Sequence, residues 1–380
     1  MKSNISENFK KDKCCGCSAC ADICPQNALK MVLDQEGFYY PSLNLKKCIN
    51  CHLCVHICPV ENNKGQCNIH STYVVKNIDI QVRLASRSGG VFSALSDFVL
   101  ASQGVVYGCV LNDKFEAQHF RATNKTDRDR MKGSKYVQSN MEGIYAQIIK
   151  DLQSNLIVLF TGTPCQTQAV KNYIPSKLHK NLYLVDIVCH GVPSPLIWQE
   201  YLRMIENKFN GKTTAVNFRN KIKYGWADHV ETISIDGIEH DSRIYTNLFY
   251  NHYIIRPSCF HCPYKCLERS GNITIADCWG IDSVMPDFDD NKGVSLVLIN
   301  GEKGKKLFQS VSDKLEIHRV DINQFLQPPF KGNFITPSKR RLFWKTYHKY
   351  GIEQACELFG KKMKPSLIDR AKRKLYNMYK

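Results

Sequence analysis

The residues that carry the most chemistry lie in the first sixty positions of this 380-residue chain. They are two runs, Cys14-x-x-Cys17-x-x-Cys20-x-x-x-Cys24-Pro25 and Cys48-x-x-Cys51-x-x-Cys54-x-x-x-Cys58-Pro59. Each has the spacing of a bacterial two-cluster iron–sulfur site, complete to the proline. Three thiolates on one tight turn can grip three irons of a cubane, and the fourth, carried past a short helical turn, reaches the neighbouring cluster. The expected sets are Cys14, Cys17, Cys20 and Cys58 around one 4Fe-4S cluster, and Cys24, Cys48, Cys51 and Cys54 around the other. Paired Cys-x-x-Cys elements also bind zinc, but two complete four-cysteine runs with their prolines favour the clusters. Cys15 and Cys67 fall outside the spacing and read as bystanders.

The two runs form an internal repeat. Between them Ala28 to Pro41 alternates in part, with Glu36-Gly37 at its centre, and predicts a β-hairpin. At 380 residues the chain has room for a second, larger domain. Residues 1–68 are therefore expected to form the two-cluster module, with a linker around Gln66 to Thr72. Met1 to Lys13 is polar and charged, without the apolar stretch of a signal peptide. Apolar runs such as Leu156 to Phe160 are strand-sized, far short of a membrane span. Eighteen cysteines then point to metal chemistry in a reducing cytosol rather than to disulfides. The formal charge of +17 counts cysteine as neutral; each thiolate-held cubane lowers it by about two. The remaining positive excess is either a solvated surface or an attraction to anionic partners: flavin phosphates, an acidic redox protein, an anionic substrate. No nucleic-acid recognition motif accompanies it.

Beyond the linker, strand-like and helix-like stretches alternate. Ser88 to Leu100 predicts a helix opened by glycines, followed by a strand over Val105 to Leu111. Ser139-x-x-Glu142 has the form of a capping box. Strands are expected at 156–160 and 182–188, and Ser194-Pro195 should open a helix to about Lys208. Residues 72–320 read as a mixed α/β domain with some parallel pairing, and 321–380 as a basic helical extension ending in Arg370 to Lys374, its helix face solvated.

A second set of cysteines lies in this larger domain. Cys165 and Cys189 each follow a strand, where open α/β sheets bind ligands. Cys259-x-x-Cys262-x-x-x-Cys266 and Cys278 come later. Three readings are open: a third cluster on Cys165, Cys189, Cys259 and Cys262; a zinc site on Cys259, Cys262, Cys266 and Cys278; or buried thiols without a metal. Two clusters alone conduct single electrons, so a large attached domain implies a cofactor that exchanges electron pairs. Arg87-Ser88-Gly89-Gly90-Val91, Lys132-Gly133-Ser134-Lys135-Tyr136 and Thr161-Gly162-Thr163 are small, polar loops suited to phosphate. No Gly-x-Gly-x-x-Gly fingerprint supports a nicotinamide site.

These loops, together with Asp186 to Ser194 and Gly271 to Gly280, resemble the beta subunits of coenzyme F420-reducing hydrogenases and dehydrogenases, from the two cysteine runs to about Ile299. The resemblance implies an iron–sulfur flavoprotein in which FAD exchanges hydride with a deazaflavin or another organic substrate. It also favours the third cluster on Cys165, Cys189, Cys259 and Cys262, with Cys266 a spare or alternative ligand. The FAD-binding residues it implies are Ser88, Gly89, Gly90, Ser134, Lys135, Tyr136, Thr161, Gly162, Thr163 and Asp277. His190 and Asp277 are candidates for acid–base chemistry by motif position. Asn272, Ala276 and Cys278 depart from the family pattern and bear on substrate identity. The expected partner is a ferredoxin or another redox protein; the alternative is a relay subunit of a larger complex. A homo-oligomer is left open.

Overall fold

The computed structural model describes residues 10–63 and 69–361. In the N-terminal module, strands Leu29–Leu33 and Tyr39–Leu43 pair antiparallel with Leu33 opposite Tyr39. The Asp34 carboxylate accepts from the amides of Glu36 and Phe38 at 3.0 Å each, and Gly37 takes φ +75°, so the predicted turn forms where expected. Each cysteine run ends in a one-turn helix, Ala19–Asp22 and Leu53–His56, entered through left-handed Ser18 and His52. The Cys67 and Gln66 readings lie outside the described residues; regular structure resumes at Ser71.

The larger part is built on one eight-stranded mixed sheet. Its spatial order is 315–320, 71–77, 295–299, 273–277, 182–187, 158–162, 105–111 and 117–122. Strands Val105–Leu111, Val158–Gly162, Leu182–Ile187 and Ile273–Asp277 run parallel; the remaining ladders are antiparallel. The parallel strands are largely apolar, and Val106, Leu159, Leu184 and Val185 are buried between helical layers, as parallel sheets require. Helices Val91–Ala101, Ile144–Gln153 and Pro164–Tyr173 cover them. A small sheet, 213–217, 231–235 and 238–242, packs beside helix Pro195–Phe209.

Three expectations are corrected. Ser139 does not cap the helix that follows. Gly143, with φ +73°, occupies that N-cap, and the Ser139 hydroxyl is engaged by His119 and Gln166 instead. The C-terminal helix Arg340–Phe359 is not a solvated appendage: Phe343, Trp344, Ala355 and Phe359 are buried in the core that also holds Trp198 and Tyr245. Arg341, Lys345 and Lys349 are exposed while Arg340 turns inward to Glu36, so charge in the sequence hid an apolar stripe, broken at Gly351, where φ is +83°. Gln327 also reaches back, donating to the Asp277 carbonyl at 2.5 Å, so the proposed boundary at 320 does not end the contacts of the larger domain. The tail Arg370 to Lys374 lies outside the described residues.

Candidate functional site

The cysteines sort into three groups. The Cys20 thiol is pushed up by burial and then by Cys14, Cys58 and Cys54. Cys17 is held near Cys15, Cys20 and Cys58, and Cys14 acts on Cys58. Cys14, Cys17, Cys20 and Cys58 thus face one another, with the fourth thiol supplied by the second run. Cys24, Cys48, Cys51 and Cys54 line one small cavity together with Leu29, Leu43, Ile49 and Leu53. Cys58 thus lies with the thiols of the first run, and Cys24 with those of the second. Cys54 lies within electrostatic reach of Cys20, so the two groups are neighbours.

The third group comes from loops far apart in sequence. Cys165 stands in the first turn of helix Pro164–Tyr173, whose entry is fixed by a capping box between Thr163 and Gln166. Cys189 follows strand Leu182–Ile187. Its thiol is raised by burial, then by Cys259, Cys165 and Cys262. Burial, and then Cys165 and Cys259, push Cys262 up to about 12. Gly191 lets the Cys189 loop close on this turn: its φ is +138°, and a Cβ there would meet Cys259 Cβ at 3.2 Å.

Cys266 and Cys278 stand apart. The Cys266 thiol donates to the carbonyls of Pro263 at 3.5 Å and Glu268 at 3.3 Å. Cys278 is buried in an apolar cluster with Trp226 and Ile281. The zinc shell of Cys259, Cys262, Cys266 and Cys278 is therefore not assembled. Among the described residues no three His, Cys, Asp or Glu side chains are drawn together tightly enough for a single ion. Thiols that grip separate irons of a cubane need not be.

The cysteine module is locked to the larger domain through its own ligand turns. Tyr145 Oη donates to Cys17 O at 2.7 Å, and Gln138 Nε2 to Cys15 O at 3.0 Å. Asn172 Nδ2 donates to Asn62 O at 2.7 Å, and Tyr264 Oη donates to Pro59 O. Ser194 caps its helix at Ile197 N and donates its hydroxyl to Glu36 O at 2.5 Å.

A cavity of about 290 Å³ opens at the carboxyl ends of the parallel strands, the position expected of ligand sites in such sheets. It is lined by Ser88, Gly90, Ser134, Lys135, Tyr136, Thr161, Gly162, Thr163 and Asp277, and by Cys189 and His190. Gly89 is the exception among the expected residues. Its amide donates to Ser295 Oγ at 2.9 Å, and a Cβ would lie 2.2 Å from Val75 O. The residue must be glycine because the loop crosses the sheet backbone here, not because a ligand approaches. Gly90, with φ +85°, forms the left-handed entry to helix Val91–Ala101.

Polar groups around the cavity are held in fixed states. Gln166 donates to Ser139 Oγ at 2.8 Å, Ser139 faces His119 Nδ1 at 3.0 Å, and His119 Nε2 faces Thr161 O at 3.1 Å. This chain suits a neutral ring that accepts from Ser139 and donates to the Thr161 carbonyl. Burial lowers His119 to about 4. Burial, then Lys265, lowers His190 to about 4 as well, so it enters any reaction near neutrality as an uncharged ring. Lys135, lowered to about 8 by burial, spends its ammonium on the carbonyls of Arg130 and Lys132, at 2.8 Å each. It shapes its own loop. Desolvation opposes ionisation of the partly buried Asp277, but Arg219 and Arg87 hold its pKa below the ordinary value. Arg219 Nη1 donates to Asp277 Oδ2 at 2.8 Å and Trp226 Nε1 to Oδ1 at 3.0 Å. A carboxylate so engaged is a poor proton carrier and a good anchor for the arginines.

Sequence reasoning missed Arg219 and Tyr250, and gave Trp279, inside the Gly271 to Gly280 motif, no role of its own. Arg219 and Trp279 are in cation–π range at 5.0 Å, and Trp279 stacks on Trp226 at 4.8 Å. Tyr136 stacks on Phe249 and approaches Tyr250 edge-on. The Nε atoms of Arg87 and Arg219 are buried without a hydrogen-bond partner. Nothing local marks Arg219, which arrives from a loop between the small sheet and a short helix.

Comparison with known proteins agrees with this architecture. Residues 157–324 match the family described as the C terminus of the coenzyme F420 hydrogenase/dehydrogenase beta subunit, and residues 13–62 match the 4Fe-4S dicluster domain. No curated protein matches the chain. Among solved structures, a chain of the F420-reducing [NiFe] hydrogenase complex from Methanosarcina barkeri is similar at 16% identity and a TM-score of 0.47, covering 77% of this chain and 92% of that one. Residues 157–324 thus carry the C-terminal domain described for coenzyme F420 hydrogenase/dehydrogenase beta subunits, joined in one chain to a 4Fe-4S dicluster module, and the pair supports an iron–sulfur redox role.

Proposed function

We propose that the protein is an iron–sulfur flavoprotein oxidoreductase that passes single electrons between three 4Fe-4S clusters and pairs of electrons to or from an organic substrate at the cavity. The observation that carries this reading is the double membership of Cys189, which belongs to the four-thiol group with Cys165, Cys259 and Cys262 and also lines the cavity. A third cluster would therefore stand in the cavity wall. The groups succeed one another in space: Cys54 reaches Cys20, Cys15 touches both Cys17 and Cys165, and Cys189 opens on the cavity.

The cavity residues suit FAD. Arg219 presents a buried Nε–H group without a hydrogen-bond partner, Arg87 Nε lies 3.9 Å from Asp277, aromatic rings of Tyr136, Tyr250 and Trp279 offer stacking faces, and Gly90, Gly133 and Gly162 bring backbone close to the space. FAD, when bound, supplies the exchange between single electrons and a hydride. The chain's own residues then bind and orient. Thr161, Gly162 and Thr163 face phosphate, Arg87 and Arg219 provide positive charge, and neutral His190 borders the reacting space. An anionic substrate suits these cations, and a deazaflavin is the first to test.

Electrons would enter or leave at the second cluster. Cys51 is exposed, on a segment that also exposes Leu45, Ile49 and Leu53 and Lys46 and Lys47. Residues 37–60 contain no Asp or Glu, which suits an acidic one-electron carrier such as a ferredoxin. Among the described residues no helix is long and apolar enough to cross a membrane.

Anaerobic purification with iron, sulfide, zinc and flavin measured together tests this. The expected content is about twelve irons and twelve sulfides per chain with one flavin. About eight irons would remove the third cluster, and a protein unable to take up flavin would be a relay subunit.

A further inference from the structure

Arg256 is fully buried, 0% exposed, and its partners among the described residues include no carboxylate. Nε donates to Cys14 O at 2.7 Å, Nη1 to Gln138 Oε1 at 3.0 Å, and Nη2 to Tyr39 O at 2.9 Å. The remaining contact is Nη2 to Cys14 Sγ at 3.6 Å. The guanidinium also lies over the Tyr40 ring at 4.1 Å. Arg269, also buried, shows the ordinary solution: it pairs with Asp186 at 2.9 Å. A guanidinium is always charged, and a buried charge without a counter-charge is strongly disfavoured. The negative charge that Arg256 lacks among carboxylates would come from Cys14 once it holds iron as a thiolate.

The position is built on both sides. Gly16, inside the first cysteine run, has φ +70°, and a Cβ there would lie 2.7 Å from Arg256 Nη1. Glycine lets the cation reach the ligand turn. Arg256 also immediately precedes the turn Pro257–Phe260, which carries Cys259. Its amide donates to Val192 O at 3.0 Å, in the loop that follows Cys189. One residue thus touches the ligand turn of the first group with its side chain and the loops of the third group with its backbone.

We propose that Arg256 is a positioning and charge-compensating residue that sets the potential of the cluster held by Cys14, Cys17, Cys20 and Cys58. This rests on the reading of those thiols as a cubane site. Reduction adds one negative charge to the cluster, and a permanent cation within N–H···S distance favours the reduced form. Arg256 therefore raises that cluster's midpoint potential and biases the order in which electrons fill the three centres. The backbone half of the same residue keeps the third group in register with the first.

The test is an anaerobic redox titration of the full-length holoprotein, followed by electron paramagnetic resonance, on wild type and three variants. Arg256→Gln should move the midpoint of the first cluster to more negative potential and leave the cluster of Cys24, Cys48, Cys51 and Cys54 unmoved. Arg256→Lys, which keeps the charge, should lie close to wild type. Gln138→Glu places a carboxylate against the intact guanidinium and should shift the midpoint in the same direction as Arg256→Gln. It decides the matter where Arg256→Gln fails to hold the cluster. Equal midpoints in wild type and Gln138→Glu, at full iron content, overturn the proposal. So do equal shifts in Arg256→Gln and Arg256→Lys, which would make the residue a packing element only. A wild-type protein that takes up no iron on the first thiols fails earlier, at the cluster reading itself, and is recognised by its iron content.

Discussion

The thiol of Cys15 lies beside the thiol of Cys165, bringing the first cysteine run to the first turn of helix Pro164–Tyr173. Cys15 also contacts Cys17, so a thiol outside the ligand spacing lies between the first and third groups. If it is a bridge and not a ligand, Cys15→Ser keeps about twelve irons per chain. The third cluster's resonance should change, because its neighbour does. A loss of about four irons would make Cys15 a ligand and reopen the assignment of both groups.

Cys58→Ser removes a thiol from the second run, yet the geometry places that thiol with Cys14, Cys17 and Cys20. The cluster of the first run should be converted or lost. That of Cys24, Cys48, Cys51 and Cys54, which line their own cavity, should persist. Resonance spectra of the single variants separate the two. Loss of the second cluster instead would show that each run keeps its own fourth ligand.

The eight N-terminal cysteines were legible because their chemistry is written locally: spacing alone brings three thiols onto one turn. The hairpin was legible for the same reason, since Asp34 and Gly37 act within five residues. The strands at 105–111 and 182–187 were visible as apolar runs. The third thiol group was reached through loop positions and a family likeness, because Cys165, Cys189 and Cys259 meet only through the sheet. Arg256 and Arg219 had no local signal. Each is defined by partners from another element, Cys14 for one and Asp277 for the other. Gly89 shows the opposite failure. Its glycine signal was real, but the backbone it clears is that of Val75, so Gly89→Val should disrupt the sheet at strands 71–77 and 295–299 rather than report on a ligand.

A cleaner probe of the cavity is Trp279→Ala. Trp279 lines the space and stacks on Trp226, while Asp277 keeps its bonds to Arg219 and Trp226. Removing an aromatic stacking face costs about 1 kcal/mol or slightly more, a loss of roughly tenfold in affinity. Flavin titrated into the deflavinated variant should bind about tenfold more weakly, with iron content unchanged. Unaltered affinity would place the flavin ring away from this wall.

Acid stability follows from the buried histidines. His119 is lowered from 6.5 to about 4 by burial, and the Gln166–Ser139–His119–Thr161 chain suits its neutral form. Between about pH 6.5 and 4 the unfolded chain binds a proton at this residue that the folded chain refuses. The folded state is therefore fully stable above the unfolded pKa and loses stability as pH falls through that window, by about 2 kcal/mol at pH 5 for this one group. His190, lowered to about 4 with burial as the leading cause, acts in the same direction. Thermal melts of the full chain between pH 7.5 and 5 should show this decline. His119→Gln keeps one donor and one acceptor but cannot take up a proton. It should be less stable at neutral pH through imperfect packing against Phe160, on which His119 stacks at 5.1 Å. Its melting temperature should also fall less steeply with acid than that of wild type. Parallel pH profiles for the two proteins would show that His119 is not the titrating group and that the acid loss arises at the cysteine sites.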